Sequence, residues 1–113
     1  MEITVTESAH NEIQDQLAKY ELQALKLVYD NEGCGCAVNG VAQLWMIPAV
    51  TATAALPEAT GSAFQIVYAQ KDLIYFEEHL ILDYRAAGRA FVLKSANQTY
   101  NNSMDLIAKG ALN

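Results

Sequence analysis

The chain predicts an α+β fold, mainly β. Five or six short runs read as strands, several of them alternating, one segment carries helical periodicity, and strands and helices do not alternate as they would in a parallel nucleotide-binding sheet. No glycine-rich phosphate loop is present either. With 113 residues, 52% of them apolar, the chain is expected to form one domain over 1–113 and to bury a core without disulfides.

Ile3 and Val5 alternate with polar neighbours as a first short strand. Thr6 then stands where a helix N-cap belongs, with Glu7 suited to the positive end of the helix dipole. The helix that follows carries Ala9, Ile13, Leu17 and Tyr20 as an apolar stripe and leaves Glu12, Gln14, Asp15 and Lys19 for solvent. His10 borders this stripe and reads as a residue that packs its ring. Leu25, Leu27 and Tyr29 alternate with Lys26 and Val28, a strand pattern that feeds a glycine-rich loop, and a second strand returns over 41–47. Trp45, in that strand, is expected in the core together with Phe64, Tyr68, Phe76 and Phe91.

Ala and Thr dominate residues 48–61, and Pro48 and Pro57 each remove a backbone donor, so this segment predicts a strand with an irregular connection. Phe64, Ile66 and Tyr68 restore alternation, and 71–78 reads as a short helical turn. Residues 80–84 and 90–94 are two β runs joined through Ala86-Ala87-Gly88 as a hairpin. An asparagine-rich tail follows, with a short C-terminal helix predicted over 103–109 and ended by Gly110.

A net charge of −6 and a pI near 4.7 argue against a nucleic-acid partner, which needs a basic stripe to replace phosphate counterions. No apolar run approaches the roughly 20 residues that cross a bilayer, so no membrane partner is expected. The opening Met-Glu-Ile-Thr lacks the basic and apolar regions of a secretory signal, which makes the cytoplasm the expected compartment. In a reducing compartment, close thiols serve more often as ligands or redox groups than as a structural bridge.

The only two cysteines lie in Gly33-Cys34-Gly35-Cys36. In an extended segment residues i and i+2 point to one side, so both sulfurs can converge on one ion. The glycines let backbone N–H groups come close to the sulfurs. No Lys, Arg or His occurs from Leu27 to Gln70, so the local sequence supplies no cation to activate a redox thiolate, whereas a metal brings its own positive charge. Cys34 and Cys36 are therefore the candidate metal and cofactor ligands. Two thiolates make half of the usual four-ligand set. A two-fold homodimer would supply four, enough for a 2Fe-2S cluster, and Glu32 or the asparagine-rich tail offers oxygen ligands for a single iron.

The order of these pieces resembles the HesB/IscA-like family of iron-sulfur cluster biosynthesis proteins, the A-type carriers. Ile3-Thr4-Val5-Thr6 before an amphipathic helix, the 25–29 strand leading to Gly33-Cys34, and the late strands ending in Ser95-Ala96-Asn97 carry the likeness. It implies a HesB-like domain of short mixed strands packed as a sandwich, with Cys34 as the family's first ligand. Typical members place a Cys-Gly-Cys pair where this chain has Tyr100-Asn101-Asn102; a Cys-Gly-Cys in the first loop is similar to the short YqkB-like subgroup. The resemblance implies a non-enzymatic assembly or carrier protein for iron or a 2Fe-2S cluster, a homodimer, and iron-sulfur assembly or recipient proteins as partners.

Other readings stay open on the residues alone. Cys34 and Cys36 could cycle between dithiol and disulfide, or pack as small hydrophobes in a divergent interaction module that binds no metal. Glu77, Glu78 and His79 form a conceivable metal set but read first as a solvated charged turn. No Ser-His-Asp set or other catalytic arrangement is legible.

Overall fold

The computed structural model describes residues 1–30, 41–49 and 56–109. Strand β1 (Glu2–Val5) runs into helix α1 (Glu7–Tyr20), and β2 (Ala24–Asp30) and β3 (Val41–Ile47) follow. Then come β4 (Glu58–Ala59), β5 (Ile66–Tyr68), a 3-10 turn Gln70–Tyr75, β6 (His79–Arg85), β7 (Ala90–Lys94), β8 (Thr99–Met104) and β9 (Leu106–Ala108). One sheet has the order β1-β6-β7-β8 and the other β4-β5-β2-β3-β9. Both are mixed: β1–β6, β2–β5 and β3–β9 are parallel pairs among antiparallel ones.

One core lies between the sheets. Leu25, Leu27, Leu44 and Met46 face inward from one side, Ile3, Leu80, Leu82 and Leu93 from the other, and Ala9, Ile13 and Leu17 of α1 join them. This bears out the sandwich of short mixed strands with an N-terminal helix. The sheets also meet at an edge, where the Ile3 amide donates to the Thr60 carbonyl at 2.8 Å and the Thr60 amide to that of Met1 at 3.1 Å. Gly61 permits this approach. Its φ is +93°, and a Cβ there would stand 2.8 Å from the Glu2 side chain and 3.1 Å from the Ile3 carbonyl oxygen.

The cap of α1 follows the sequence reading. Thr6 Oγ1 accepts the Ala9 amide at 3.3 Å, and the same hydroxyl donates to Asp83 Oδ1 at 2.7 Å, tying the helix start to β6. The Tyr84 amide also donates to that carboxylate, at 2.8 Å. Chiefly the Thr6 hydroxyl, and then the Tyr84 amide, hold the Asp83 carboxyl below its ordinary range. At the other end Glu21 adopts the left-handed conformation (φ 57°), and its amide reaches back to the carbonyls of Ala18 and Leu17.

Several expectations need correction. The predicted helix over 103–109 is extended chain, the end of β8 followed by β9. Met104, Ile107 and Ala108 have helical spacing, but Leu106 and Ala108 also alternate, and the open edge of β3 supplies hydrogen-bond partners that a lone turn would lack. Tyr20 is 40% exposed at the helix end rather than part of the buried stripe. The hairpin turn joins β6 and β7 as expected, with Arg89 in the left-handed conformation (φ 52°).

Trp45 is not in the main core. Ala42, Leu44 and Met46 take the inner face of β3, so alternation puts Val41, Gln43, Trp45 and Ile47 on the outer face. There Trp45 packs beside a small second cluster of Ala24, Ile47 and Val67. Tyr68, Phe76 and Phe91 are buried as expected, while Phe64 is half-buried with its ring 4.8 Å from that of His10, the packing role read for His10.

Candidate functional site

Cys34 and Cys36, with Glu32, lie outside the described residues; the strands that carry their loop do not. Asp30 and Val41 are Cα partners in the β2–β3 ladder, so the segment 31–40 leaves and re-enters the sheet at adjacent positions. The physical question is what secures that root.

Pairing in an antiparallel ladder alternates, and at every second pair the N–H and C=O groups turn away from the partner strand. Tyr29 and Ala42 form such a pair. On β2 the odd residues turn toward β5, as the Leu25 amide does in donating to the Gln65 carbonyl at 2.9 Å. On β3 the even residues turn toward β9, as the Met46 carbonyl does in accepting the Lys109 amide at 2.9 Å. Both neighbours stop short of the root: β5 ends at Tyr68 and β9 begins at Leu106.

Side chains continue the ladder where the strands stop. The Tyr29 amide donates to Asp72 Oδ2 at 3.3 Å, and Asn101 Nδ2 donates to the Ala42 carbonyl at 2.8 Å. Asp72 is a buried carboxylate, 2% exposed, that also accepts from Lys71 Nζ at 2.9 Å. A buried charge at this place is explained by its two donors. Nothing in the sequence marked Asp72, because its role depends on the 3-10 turn lying beside β2.

Aromatic rings reinforce the same root. Tyr29 stacks on Tyr75 with centroids 4.0 Å apart and meets Phe76 edge-on at 5.9 Å, while Tyr100 lies 5.2 Å from Phe76. The Tyr100 hydroxyl accepts the Glu77 amide at 2.9 Å. Next to Tyr75 in the chain, Ile74 is 82% exposed, while Val41, 49% exposed, stands on the outer face of the β2–β3 pair, away from these rings.

The tail expected to offer oxygen ligands is a strand with structural duties. Asn101 Oδ1 accepts the Ser103 amide at 2.9 Å, and the backbone and side-chain oxygens of Asn102 accept Arg85 Nη2 at 2.6 and 2.8 Å. These amide oxygens are engaged within the protein rather than presented to an ion. Asn101 nevertheless reaches the start of β3, since Ala42, whose carbonyl it holds, is the second residue of that strand.

The Glu77, Glu78 and His79 set is not assembled. Glu77 accepts from Asn97 Nδ2 at 2.9 Å and Gln98 Nε2 at 3.4 Å, Glu78 pairs with the Met1 ammonium at 3.4 Å, and His79 Nδ1 meets Glu2 Oε1 at 2.6 Å. The Asn97 amide is the main cause that lowers the Glu77 carboxyl below its ordinary range. Among the described residues no three His, Cys, Asp or Glu side chains are grouped to hold a metal. No helix among them is long and apolar enough to cross a membrane.

Comparison with known proteins points the same way as the strand order. The family model for iron-sulphur cluster biosynthesis matches residues 1–108. YqkB of Bacillus subtilis (strain 168), an uncharacterized protein, is 30% identical over 109 residues, covering 96% of this chain and 100% of the relative. Among solved structures, a Lactobacillus salivarius protein assigned to Fe-S biosynthesis superposes with a TM-score of 0.71 at 14% identity, over 96% of this chain and 100% of that one. SufA of Escherichia coli, involved in biosynthesis of iron-sulfur clusters, gives 0.54 at 15% identity, over 82% of this chain and 77% of its own. At such identities the structural likenesses speak for the fold alone.

Proposed function

The chain belongs to the iron-sulphur cluster biosynthesis family, and from that premise we propose that it serves cluster assembly as a non-enzymatic carrier. Its cargo is iron or a 2Fe-2S cluster held by Cys34 and Cys36, and its partners are assembly and recipient proteins of the cytoplasm. The observation that carries this reading is the doubly tied root of the Cys-Gly-Cys loop, where Asp72 and Asn101 complete the ladder on either side. A site that must load and unload needs a fixed base and a coordination set that is incomplete on one chain. Two thiolates provide half of a tetrahedral set, so a two-fold dimer that apposes two loops closes it and separation of the loops opens it. Val41, exposed where β3 begins, suits such an apposition.

Anaerobic reconstitution with iron and sulfide tests the proposal. The expected product shows sulfur-to-iron charge-transfer absorption, with iron bound in proportion to protein, and Cys34→Ser and Cys36→Ser each lose the band. A colourless protein that retains no iron after desalting without oxygen would refute it.

A further inference from the structure

We propose that the part of the outer sheet face around Trp45, next to the buried Ala24, Ile47 and Val67, docks an extended acidic segment of a partner protein. Lys26 is the cross-strand partner of Trp45, and its Nζ lies 5.6 Å from the ring centroid. On the other side of β3, Ile107 pairs with Trp45 and Lys109 follows it, with Nζ 4.7 Å from the same ring. Two of only seven Lys and Arg residues, in a chain of net charge −6, thus converge on its single tryptophan. Among the described residues neither lysine is in an ion pair with a carboxylate. The indole Nε1 donates to Gln43 Oε1 at 2.9 Å, which helps fix the plane of the ring that both ammonium groups approach.

The chemistry of a matching surface follows from this arrangement. Both charges sit within about 6 Å of one ring, the range in which a cation is held over an aromatic face. On an extended chain residues i and i+2 project to one side about 7 Å apart, so two acidic residues flanking one position can meet both lysines. A rigid tryptophan in such a setting is the residue type that anchors interfaces. The patch continues along β3 to Val41, 49% exposed, where the cysteine-bearing loop rejoins the sheet. Repulsion from the acidic remainder of the chain is largely screened beyond about 8 Å at physiological salt. The inference goes beyond cluster carriage and is tested on protein without metal, so either proposal can fail alone.

The tryptophan itself reports the result, because it is the only one in the chain. The probe is a tryptophan-free synthetic decapeptide alternating Glu with Val, titrated against the metal-free protein and compared with its Gln-Val counterpart. Saturable change in Trp45 emission is expected with the acidic peptide, lost at about 1 M salt, where the screening length is about 3 Å. Lys26→Glu with Lys109→Glu is expected to weaken binding at least tenfold. Lys19→Glu with Arg89→Glu, an equal change of net charge at exposed positions elsewhere, is expected to leave it within twofold. The proposal is overturned by equal binding of the Gln peptide, by equal loss in both charge-reversal pairs, or by no emission change. It is also overturned if a single-stranded oligonucleotide or phosphatidylserine vesicles bind this face more tightly than the acidic peptide.

Discussion

Replacing Asn101 with alanine removes the donor that satisfies the Ala42 carbonyl beside the root of the cysteine-bearing loop. A hydrogen bond contributes about 1 kcal/mol net when both groups can return to water, but leaving a buried carbonyl without a partner costs its full desolvation penalty, about 1–3 kcal/mol. Ala42 is fully buried (0% exposed), so solvent does not readily replace the lost donor. We therefore expect a loss of about 2 kcal/mol in urea unfolding followed by circular dichroism, with an unchanged m-value and a Tm lower by about 8 °C. Amide exchange should quicken first at Tyr29 and Leu44, which flank the root, if the damage is local. Asn101→Asp is the discriminating companion. An ionised carboxylate cannot donate and faces a carbonyl oxygen, so it should destabilise at neutral pH at least as much as alanine, with partial recovery near pH 4 as the acid protonates and regains a donor. A loss below about 0.5 kcal/mol for Asn101→Ala, with root amides exchanging as in the parent, would refute the reasoning that side chains complete the ladder there.

Thr6→Ala removes a helix cap and the hydroxyl that donates to Asp83, and should lower stability by about 1–2 kcal/mol in the same unfolding assay, with Thr6→Ser recovering most of it. Asp83 and Glu77 both have folded pKa values below their unfolded ones, which are about 3.9 for Asp and 4.3 for Glu. Their contribution is therefore complete above about pH 5 and is lost as pH falls through the lower folded values, so a stability profile should decline on its acid side and Asp83→Asn should flatten that decline. If the two sulfurs serve as ligands and not as packing groups, Cys34→Ser and Cys36→Ser should leave unfolding of the metal-free protein within about 0.5 kcal/mol while abolishing the charge-transfer band.

The elements most legible in the chain were those whose local chemistry and tertiary setting agree. Thr6 with Glu7, the Ala9-Ile13-Leu17 stripe and the alternation of β2 each carry a pattern that only one secondary structure satisfies. Legibility failed where two periods fit one run. Over 103–109 a helical spacing and an alternation coexist, and the unpaired edge of β3 decided for strand. It failed again for Trp45, since aromatic character says that a ring wants cover but not which sheet face it will occupy. The register Lys26↔Trp45 and the inward claim of Leu44 and Met46 put it outside.

The candidate site divides along the same line. The amino-acid order alone determined that both cysteines fall in one glycine-rich stretch, that no local cation accompanies them, and that the chain resembles the iron-sulfur biosynthesis family. Those properties depend on neighbours in the chain, where spacing and residue type are enough. Only the tertiary structure decided that Asp72 and Asn101, distant in sequence from the loop and from one another, finish the β2–β3 ladder at its root, and that Lys26 and Lys109 meet over Trp45. The reason is physical: a backbone group left over at the end of a strand takes whatever donor or acceptor the fold brings beside it, and no local pattern records which residue that will be.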